Sequence, residues 1–189
     1  QVLVNWAGPR VFQDAQTMFE RGLVQEVGYD PPWVSGTILW SNRPLSTSVR
    51  MLPDGTYREL WRGRKDVLDS HYNNLVCRDG YVYGFGTVGS GLRCVELETG
   101  DLMWRWKSRL RNAASIGVGD KLILFDERGR LASLRMHPDD YEPGSMTARG
   151  MLSGRCFSAP ALSGGLLYVR NEEELKCLNL RGPGTDGSR

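Results

Sequence analysis

Four basic side chains alternate with other residues along one short segment. They are Arg105, Lys107, Arg109 and Arg111. In a β-strand, alternate residues point to the same face, so this spacing predicts four cations side by side. Beside Trp104 and Trp106, such a basic ladder could bind phosphate, or single-stranded nucleic acid through charge and stacking.

The basic ladder also has a purely structural interpretation. Lys and Arg on an outer strand are solvated and discourage pairing with another sheet edge. A second basic group, Arg62, Arg64 and Lys65, falls at the matching place in the preceding repeat of the sequence. Because the basic group recurs in two repeats, it is more typical of the structure of the repeat than of a nucleic-acid site.

A polar cluster surrounds one of the two histidines. His71, Tyr72 and Asn73 lie within residues 69–74, which we expect to form a loop leading into an innermost strand. A nucleophilic triad needs a Ser or Cys and an acid placed around the imidazole, and sequence neighbours do not establish that geometry. We therefore expect a structural or ligand-contact role here, and we assign no catalytic residue.

The four cysteines carry no metal-binding spacing. They are Cys77, Cys94, Cys156 and Cys177. No C-x-x-C pair is present, which argues against a zinc site. Cys94 and Cys177 fall at the same place in their repeats, in apolar company, and we expect them to be small buried core residues. A disulfide is the alternative, although Cys77 and Cys94 are expected on strands that are not neighbours.

Size and composition limit the classes of partner. The chain has 189 residues, a net charge of +2 and 40% hydrophobic residues. This charge is too small to imply nucleic acid or a membrane surface through bulk electrostatics. No apolar run is long enough for a transmembrane helix. The sequence begins with Gln1, so we expect a processed, trimmed or engineered start from which an export signal would already be gone.

The elements that must position these residues form a repeat. An apolar strand, a Gly-containing turn and a second apolar strand recur at 33–42, 75–86, 115–126 and 160–171. Ile38, Val82, Leu122 and Leu166 mark the equivalent points, and a further apolar strand follows each unit. A period of about 42 residues made only of strands is typical of β-propeller blades.

The repeat predicts one all-β propeller arc over residues 1–181, of about four to five four-stranded antiparallel blades. Complete blades are expected at 28–64, 65–108 and 109–153, and partial blades at 1–27 and 154–181. In the 65–108 blade the strands are predicted at 73–78, 81–86, 92–97 and 102–107, whereas the outer strand of the 109–153 blade is predicted at 145–152. In the first partial blade, residues 2–6, 10–14 and 19–27 are expected to be the second, third and fourth strands. Residues 182–189 are expected to be a flexible polar tail.

Such an arc leaves unpaired strand edges, which proteins avoid. We therefore expect the rest of the propeller, or a second chain, to close the ring.

The stretch from Cys94 to Trp104 resembles a family motif. It is similar to the tryptophan-docking motif of pyrroloquinoline-quinone (PQQ) propellers, in which Gly permits the tight turn and Trp packs on the next blade. Gly100 and Trp104 match the motif, and Cys94 and Glu96 stand where it has Ala and Asp. Residues 53–61 resemble a weaker copy. Residues 28–181 as a whole resemble the C-terminal part of the bacterial PQQ-like, or BamB-like, β-propeller family.

This resemblance implies one of two kinds of protein. Quinoprotein dehydrogenases hold the quinone and a calcium ion, with a disulfide between adjacent cysteines. The chain has no adjacent cysteine pair, and its acidic residues at 139–140 and 172–174 are typical of solvated hairpin loops. The other kind is a non-enzymatic, exported scaffold that binds proteins or ligands.

The resemblance therefore implies a bacterial, periplasmic or otherwise exported scaffold with a protein partner and no metal or cofactor. One alternative is a part of a PQQ-dependent dehydrogenase whose cofactor residues lie outside this chain. Another is nucleic-acid or polyanion binding through the basic ladder.

Overall fold

A computed structural model of the chain describes residues 2–5, 36–42, 45–52, 56–63, 67–68, 73–86 and 91–181. Within these ranges the secondary structure consists of β-strands, which form four separate sheets. Among the same residues there is no helix of the length and apolar character needed to cross a membrane.

The first sheet, or first blade, contains β1 (Val2–Asn5), β2 (Gly36–Asn42), β3 (Leu45–Met51) and β4 (Tyr57–Gly63). The second blade contains β5 (Val76–Arg78), β6 (Tyr81–Gly86), β7 (Gly91–Glu96) and β8 (Leu102–Trp106). The third contains β9 (Ala114–Val118), β10 (Lys121–Phe125), β11 (Leu131–Arg135) and β12 (Glu142–Met146). The fourth contains β13 (Ala161–Ser163), β14 (Leu166–Arg170) and β15 (Leu175–Asn179).

Consecutive strands from β2 onward pair with their sequence neighbours inside each blade, and these pairs are antiparallel. The turn at Asp79-Gly80 shows why: both residues have positive φ, 50° and 83°. That backbone suits a two-residue hairpin, and Asp-Gly pairs favour it. The predicted second strand of this blade, 81–86, is confirmed by β6.

The hydrophobic core lies between the blades, in three layers. The first joint lies between the first and second blades, the second joint between the second and third, and the third joint between the third and fourth. In the third blade, Leu122 and Leu124 pack toward the second blade, whereas Ile123 and Phe125 pack toward the fourth. This alternation buries both faces of β10, since a strand turns successive side chains to opposite faces. The short apolar strands of the repeat therefore pack on both faces, and the blades form a face-to-face stack.

This architecture is an incomplete β-propeller: all-β, with three four-stranded blades and one three-stranded blade that form an arc and do not close within the described residues. The sequence predicts this fold class, and the structure confirms it.

The N-terminal strand differs from its prediction. Residues 2–6 were expected as the second strand of a separate partial blade, but Val2–Asn5 pairs in parallel with β2, in the register Val2↔Ile38 to Asn5↔Ser41. The expectation for this strand is therefore wrong, because Val2–Asn5 takes the inner edge of β2. Residues 10–14, 19–27 and 33–35, also expected as strands, lie outside the described residues.

Two smaller expectations also need correction. The outer strand of the third blade spans Glu142–Met146 rather than 145–152. In the fourth blade the equivalent of Val82 and Leu122 is Leu167, not Leu166, since Leu167 pairs with Leu178 as Val82 pairs with Val95. The turn at Gly164-Gly165 is followed by Leu166 as the first residue of β14. The core position of this strand is therefore one residue later than the apolar pattern predicts.

Candidate functional site

The basic ladder does not form as one strand face. Strand β8 ends at Trp106, so Lys107, Arg109 and Arg111 lie in the connection to β9. That connection turns inward at Leu110, which is 1% exposed and packs into the second joint. The prediction of four parallel cations is therefore wrong, and Arg105 alone of the four sits in the strand.

Of the three residues predicted in the histidine cluster, the structure describes Asn73. His71 and Tyr72 lie outside the described residues, so their predicted role stays a prediction. Asn73 is buried, and its Nδ2 donates to the carbonyl of Phe85 at 3.3 Å. This contact holds the end of β6 and is structural.

One buried carboxylate organises the loops at the end of the third blade. Asp126 follows β10 and is fully buried. It accepts hydrogen bonds from the backbone N–H groups of Arg111, Arg128 and Arg130 at 3.2, 3.0 and 2.8 Å. The Arg130 guanidinium also pairs with it, at 2.8 Å from Nη2. Asp126 therefore fixes the connection before β9 against the turn between β10 and β11.

These fixed loops line a cleft of about 400 Å³ that carries a basic character. We call it the arginine cleft; its lining residues are Arg111, Glu127, Arg128, Gly154, Arg155 and Phe157. Residues 154–157 are held in place because the Cys156 N–H donates to the Glu127 carbonyl at 2.9 Å. Glu127 itself accepts from Asn112 Nδ2 at 2.7 Å. A lining with three arginines and one glutamate, whose carboxylate already accepts from Asn112, suits an anionic ligand.

The sequence pattern indicates only one residue of this cleft, Arg111. Arg128 and Arg155 were missed because they lie far apart in the chain and belong to different loops. Arg111 and Arg155 lie in the connections that lead into β9 and β13, whereas Arg128 lies in the turn between β10 and β11. These are different positions of the repeat, so no alignment of the repeats brings all three together.

The fourth blade exposes a second candidate surface, the face that points away from the third blade. Leu167, Val169 and Leu178 pack into the third joint, so the neighbouring side chains of β14 and β15 lie on the opposite face. There Tyr168 and Cys177 are directly opposite each other, and Cys177 is exposed. We call this the open face. The expectation that Cys177 is a buried core residue is therefore wrong.

The same pair occurs, buried, in the second blade. Tyr83 pairs across the strands with Cys94, and the two side chains are 1% and 0% exposed beneath the third blade. The Tyr83 hydroxyl donates to the Cys94 sulfur, and burial raises the pKa of Cys94 to about 12. In the fourth blade the hydrogen bond to Cys177 raises the pKa of Tyr168. The two blades thus build one motif in two environments.

The cysteines and acidic residues form no metal centre in the described part of the chain. The four thiols are free, and Cys94 and Cys156 are buried. Among the described residues, no group of three or more His, Cys, Asp and Glu side chains could hold a metal ion. The acidic loops are engaged locally: Asp139 lies 3.6 Å from His137, and Glu174 lies 3.7 Å from Lys176.

Comparison with known proteins gives structural likeness only. No protein-family model matches the sequence, and no curated protein matches it. The structure of BamB from Moraxella catarrhalis is 16% identical, with a TM-score of 0.52, over 71% of this chain and 37% of that chain. The computationally designed Ika4 protein is 12% identical over 78% of this chain and 92% of its own, at a TM-score of 0.49. A europium-containing methanol dehydrogenase is 12% identical over 56% of this chain and 22% of that chain, at 0.40.

The chain thus spans little more than a third of the BamB chain. The BamB likeness supports the PQQ-like propeller fold.

Proposed function

We propose that the chain is a non-catalytic propeller scaffold whose open face takes up a further blade. One observation carries this proposal: the pair of half-buried Tyr168 and exposed Cys177 repeats the Tyr83–Cys94 pair, which the third blade covers. Because the same Tyr–Cys pair is buried against a neighbouring blade in the second blade, the open face is suited to contact with another blade. The further blade would come from the rest of a longer propeller or from a second chain.

The composition of the open face fits such a partner. Its side chains are Leu166, Tyr168 and Arg170 on β14 and Leu175, Cys177 and Asn179 on β15, so four apolar or weakly polar residues stand between one cation and one amide. Leu175 is 66% exposed. Exposed apolar clusters of this kind mark interaction sites more often than isolated surface residues do. The chemistry expected of the partner is that of the third blade, which covers Tyr83 and Cys94 with Leu122, Leu134 and Met136.

The test supplies that blade. A second copy of residues 109–153 is joined after residue 181, so that its Leu122 face can cover the open face. Reaction of Cys177 with a thiol reagent is then followed by mass spectrometry. In the natural chain Cys177 should react quickly and Cys94 slowly. In the extended chain Cys177 should react at least tenfold more slowly.

A matched control carries Leu122→Glu and Leu134→Glu in the added copy only. This control should leave Cys177 as reactive as in the natural chain, because the added blade can no longer pack. Unchanged reactivity with the unmodified added blade contradicts the proposal. Size-exclusion chromatography of the natural chain distinguishes the source of the partner: concentration-dependent dimers, with protected Cys177, indicate a second chain.

The likeness to BamB also motivates the rest of the proposal: an exported location, a protein partner and no cofactor. Cell fractionation of the source organism should place the protein outside the cytoplasm. Addition of PQQ and calcium to the purified protein should give no dye-linked dehydrogenase activity. Stoichiometric uptake of both, with alcohol or sugar oxidation, would instead identify part of a quinoprotein dehydrogenase.

A second candidate function is the binding of an anionic group in the arginine cleft. Three arginines and one glutamate line the cleft, and Asp126 holds the loops that carry Arg111 and Arg128. Charge-assisted hydrogen bonds of this kind contribute about 1.5–3 kcal/mol each. Inorganic phosphate and a triglutamate peptide are suitable probes, and their affinity should fall as salt is added.

Four variants separate this cleft from the original basic ladder. Arg128→Gln and Arg155→Gln should each weaken binding by about tenfold, whereas Arg149→Gln, an exposed arginine outside the cleft lining, should not change it. Arg109→Gln tests the 105–111 segment. If Arg109→Gln weakens a single-stranded oligonucleotide while Arg128→Gln does not, polyanion binding belongs to that segment and the cleft proposal fails.

A further inference from the structure

An apolar groove of about 540 Å³ opens along the third joint, between the third and fourth blades. Strands β10, β11 and β12 form one wall, which includes Met146. Leu162, Leu167 and Leu180 belong to the other wall. The groove shares no lining residue with the arginine cleft, and it lies on the covered side of the fourth blade, opposite the open face.

The fourth-blade wall uses the strand positions that pack around a tryptophan in the other joints. Leu162 pairs with Leu167 as Cys77 pairs with Val82. Leu180 corresponds to Leu97, since the N–H of each donates to the carbonyl at the end of the first turn of its blade. In the first joint, Trp61 packs with Cys77, Val82 and Leu97. In the second joint, Trp104 packs with Leu122 and Met136, which hold the corresponding places.

The third blade supplies no tryptophan to its joint. Trp61 pairs across the strands with Ser48, and Trp104 with Cys94. In the third blade the counterpart of Ser48 and Cys94 is Ser133, since Ile123 pairs with Ser133 as Tyr83 pairs with Cys94. Ser133 lies in the strand irregularity between Ala132 and Leu134, and the N–H of Ser145 donates to its hydroxyl at 3.2 Å. Ser145 therefore holds the place of Trp61 and Trp104, and its short side chain leaves the groove open. The groove is therefore the place that an indole ring fills in the two preceding joints.

Both docked indoles also donate a hydrogen bond to the next blade. Trp61 Nε1 donates to the Leu97 carbonyl and Trp104 Nε1 to the His137 carbonyl, each at 2.8 Å. The corresponding carbonyls of the fourth blade are those of Leu180 and Arg181. A ring bound in the groove would thus find apolar walls and a backbone acceptor at one end.

We propose that the third-joint groove binds a small fused-ring aromatic ligand that carries one N–H, and indole is the simplest probe. The inference is independent of the blade-docking and anion-binding proposals, because it uses neither the open face nor the arginine cleft. Indole should bind the natural chain saturably in a calorimetric or NMR titration. The sulfur isostere 1-benzothiophene lacks the N–H donor and should bind several-fold more weakly.

The decisive variant is Ser145→Trp, which places the chain's own indole at the position of Trp61 and Trp104. It should lower the affinity for added indole at least tenfold. Met103→Trp is the matched control: it adds the same ring at a residue that is 39% exposed on β8 and should leave indole binding unchanged.

A second variant tests the proposal independently in case the first variant does not fold. Leu180→Asp changes a half-exposed wall residue, so it should abolish indole binding while the far-UV circular dichroism is preserved. No saturable binding of indole to the natural chain, or equal binding to the natural chain and Ser145→Trp, would overturn the proposal. Binding of a tryptophan-containing peptide without binding of free indole would also overturn it, since the occupant would then be a partner's side chain.

Discussion

The Tyr–Cys pair shows how one residue type takes its chemistry from its surroundings. In the second blade, burial raises the pKa of Cys94 to about 12, and burial also raises the pKa of Tyr83. Burial disfavours the charged form of an acid, so both groups stay protonated in the folded chain. The same two residue types at the open face lie where solvent and reagents reach the sulfur.

This shift predicts a pH dependence of stability. The unfolded Cys94 thiol ionises near pH 9, whereas the folded thiol keeps its proton up to about pH 12. The unfolded state therefore binds fewer protons in this window, and the free energy of unfolding should fall as the pH rises from about 9 toward 12. Between pH 8 and pH 10.5 the thiol should account for a loss of about 2 kcal/mol.

Urea unfolding under reducing conditions measures the effect at both pH values. Cys94→Ala should flatten the dependence on pH. Cys177→Ala, which removes an exposed thiol from the equivalent position, should keep the slope of the natural chain. An equally steep slope in Cys94→Ala would show that the buried thiol is not its source.

At the scale of the element, the tightest constraint is the turn that receives a docked tryptophan. Gly100 has a φ of +79°, and a Cβ there would lie 2.5 Å from Cδ2 of Trp61. The turn thus needs glycine for its backbone conformation and for the close approach of the neighbouring blade. This is the physical content of the motif that the sequence shows between Cys94 and Trp104.

Gly100→Ala should therefore destabilise the fold by about 2–4 kcal/mol, through left-handed backbone strain and displacement of Trp61. Gly119→Ala is a close control, since Gly119 has a φ of +58° but no atom near the added Cβ. It should cost only about 1–2 kcal/mol. Urea unfolding of both variants gives the comparison, and equal losses would mean that the Trp61 contact contributes nothing.

Elements of this kind were predictable where local chemistry decides them. The Asp79-Gly80 turn and the apolar run of β6 are visible in the sequence, and the structure has them as expected. The basic ladder failed because strand length depends on Leu110 turning into the second joint, a tertiary contact that alternation does not encode. The arginine cleft depends on Asp126 joining loops distant in sequence, so strand patterns alone could not reveal it.

For the whole molecule, the stack of joints sets where stability is lowest. The second blade is packed on both faces, whereas the fourth blade has described packing on one face only, through the third joint. Its strand β15 pairs with β14 and has no further strand partner among the described residues. Regions with few buried contacts and exposed strand edges open most readily.

Amide hydrogen exchange should show this gradient directly. The amides of β14 and β15 should have protection factors at least tenfold lower than those of β6 and β7, the equivalent hairpin of the second blade. Residue-resolved exchange by NMR measures both sets in one sample. Equal protection of the two hairpins would indicate that the arc unfolds as a single cooperative unit.

The parallel pairing of β1 with β2 has a consequence for the order of folding events. From β2 onward, the antiparallel pairs form between strands that follow each other, so each needs only a short loop to close. Val2–Asn5 must wait for a partner that lies beyond residues 6–35, and closing a longer loop costs more chain entropy. During synthesis this apolar stretch emerges before β2 exists, so the parallel pair can form only after residues 6–35 and β2 have been added.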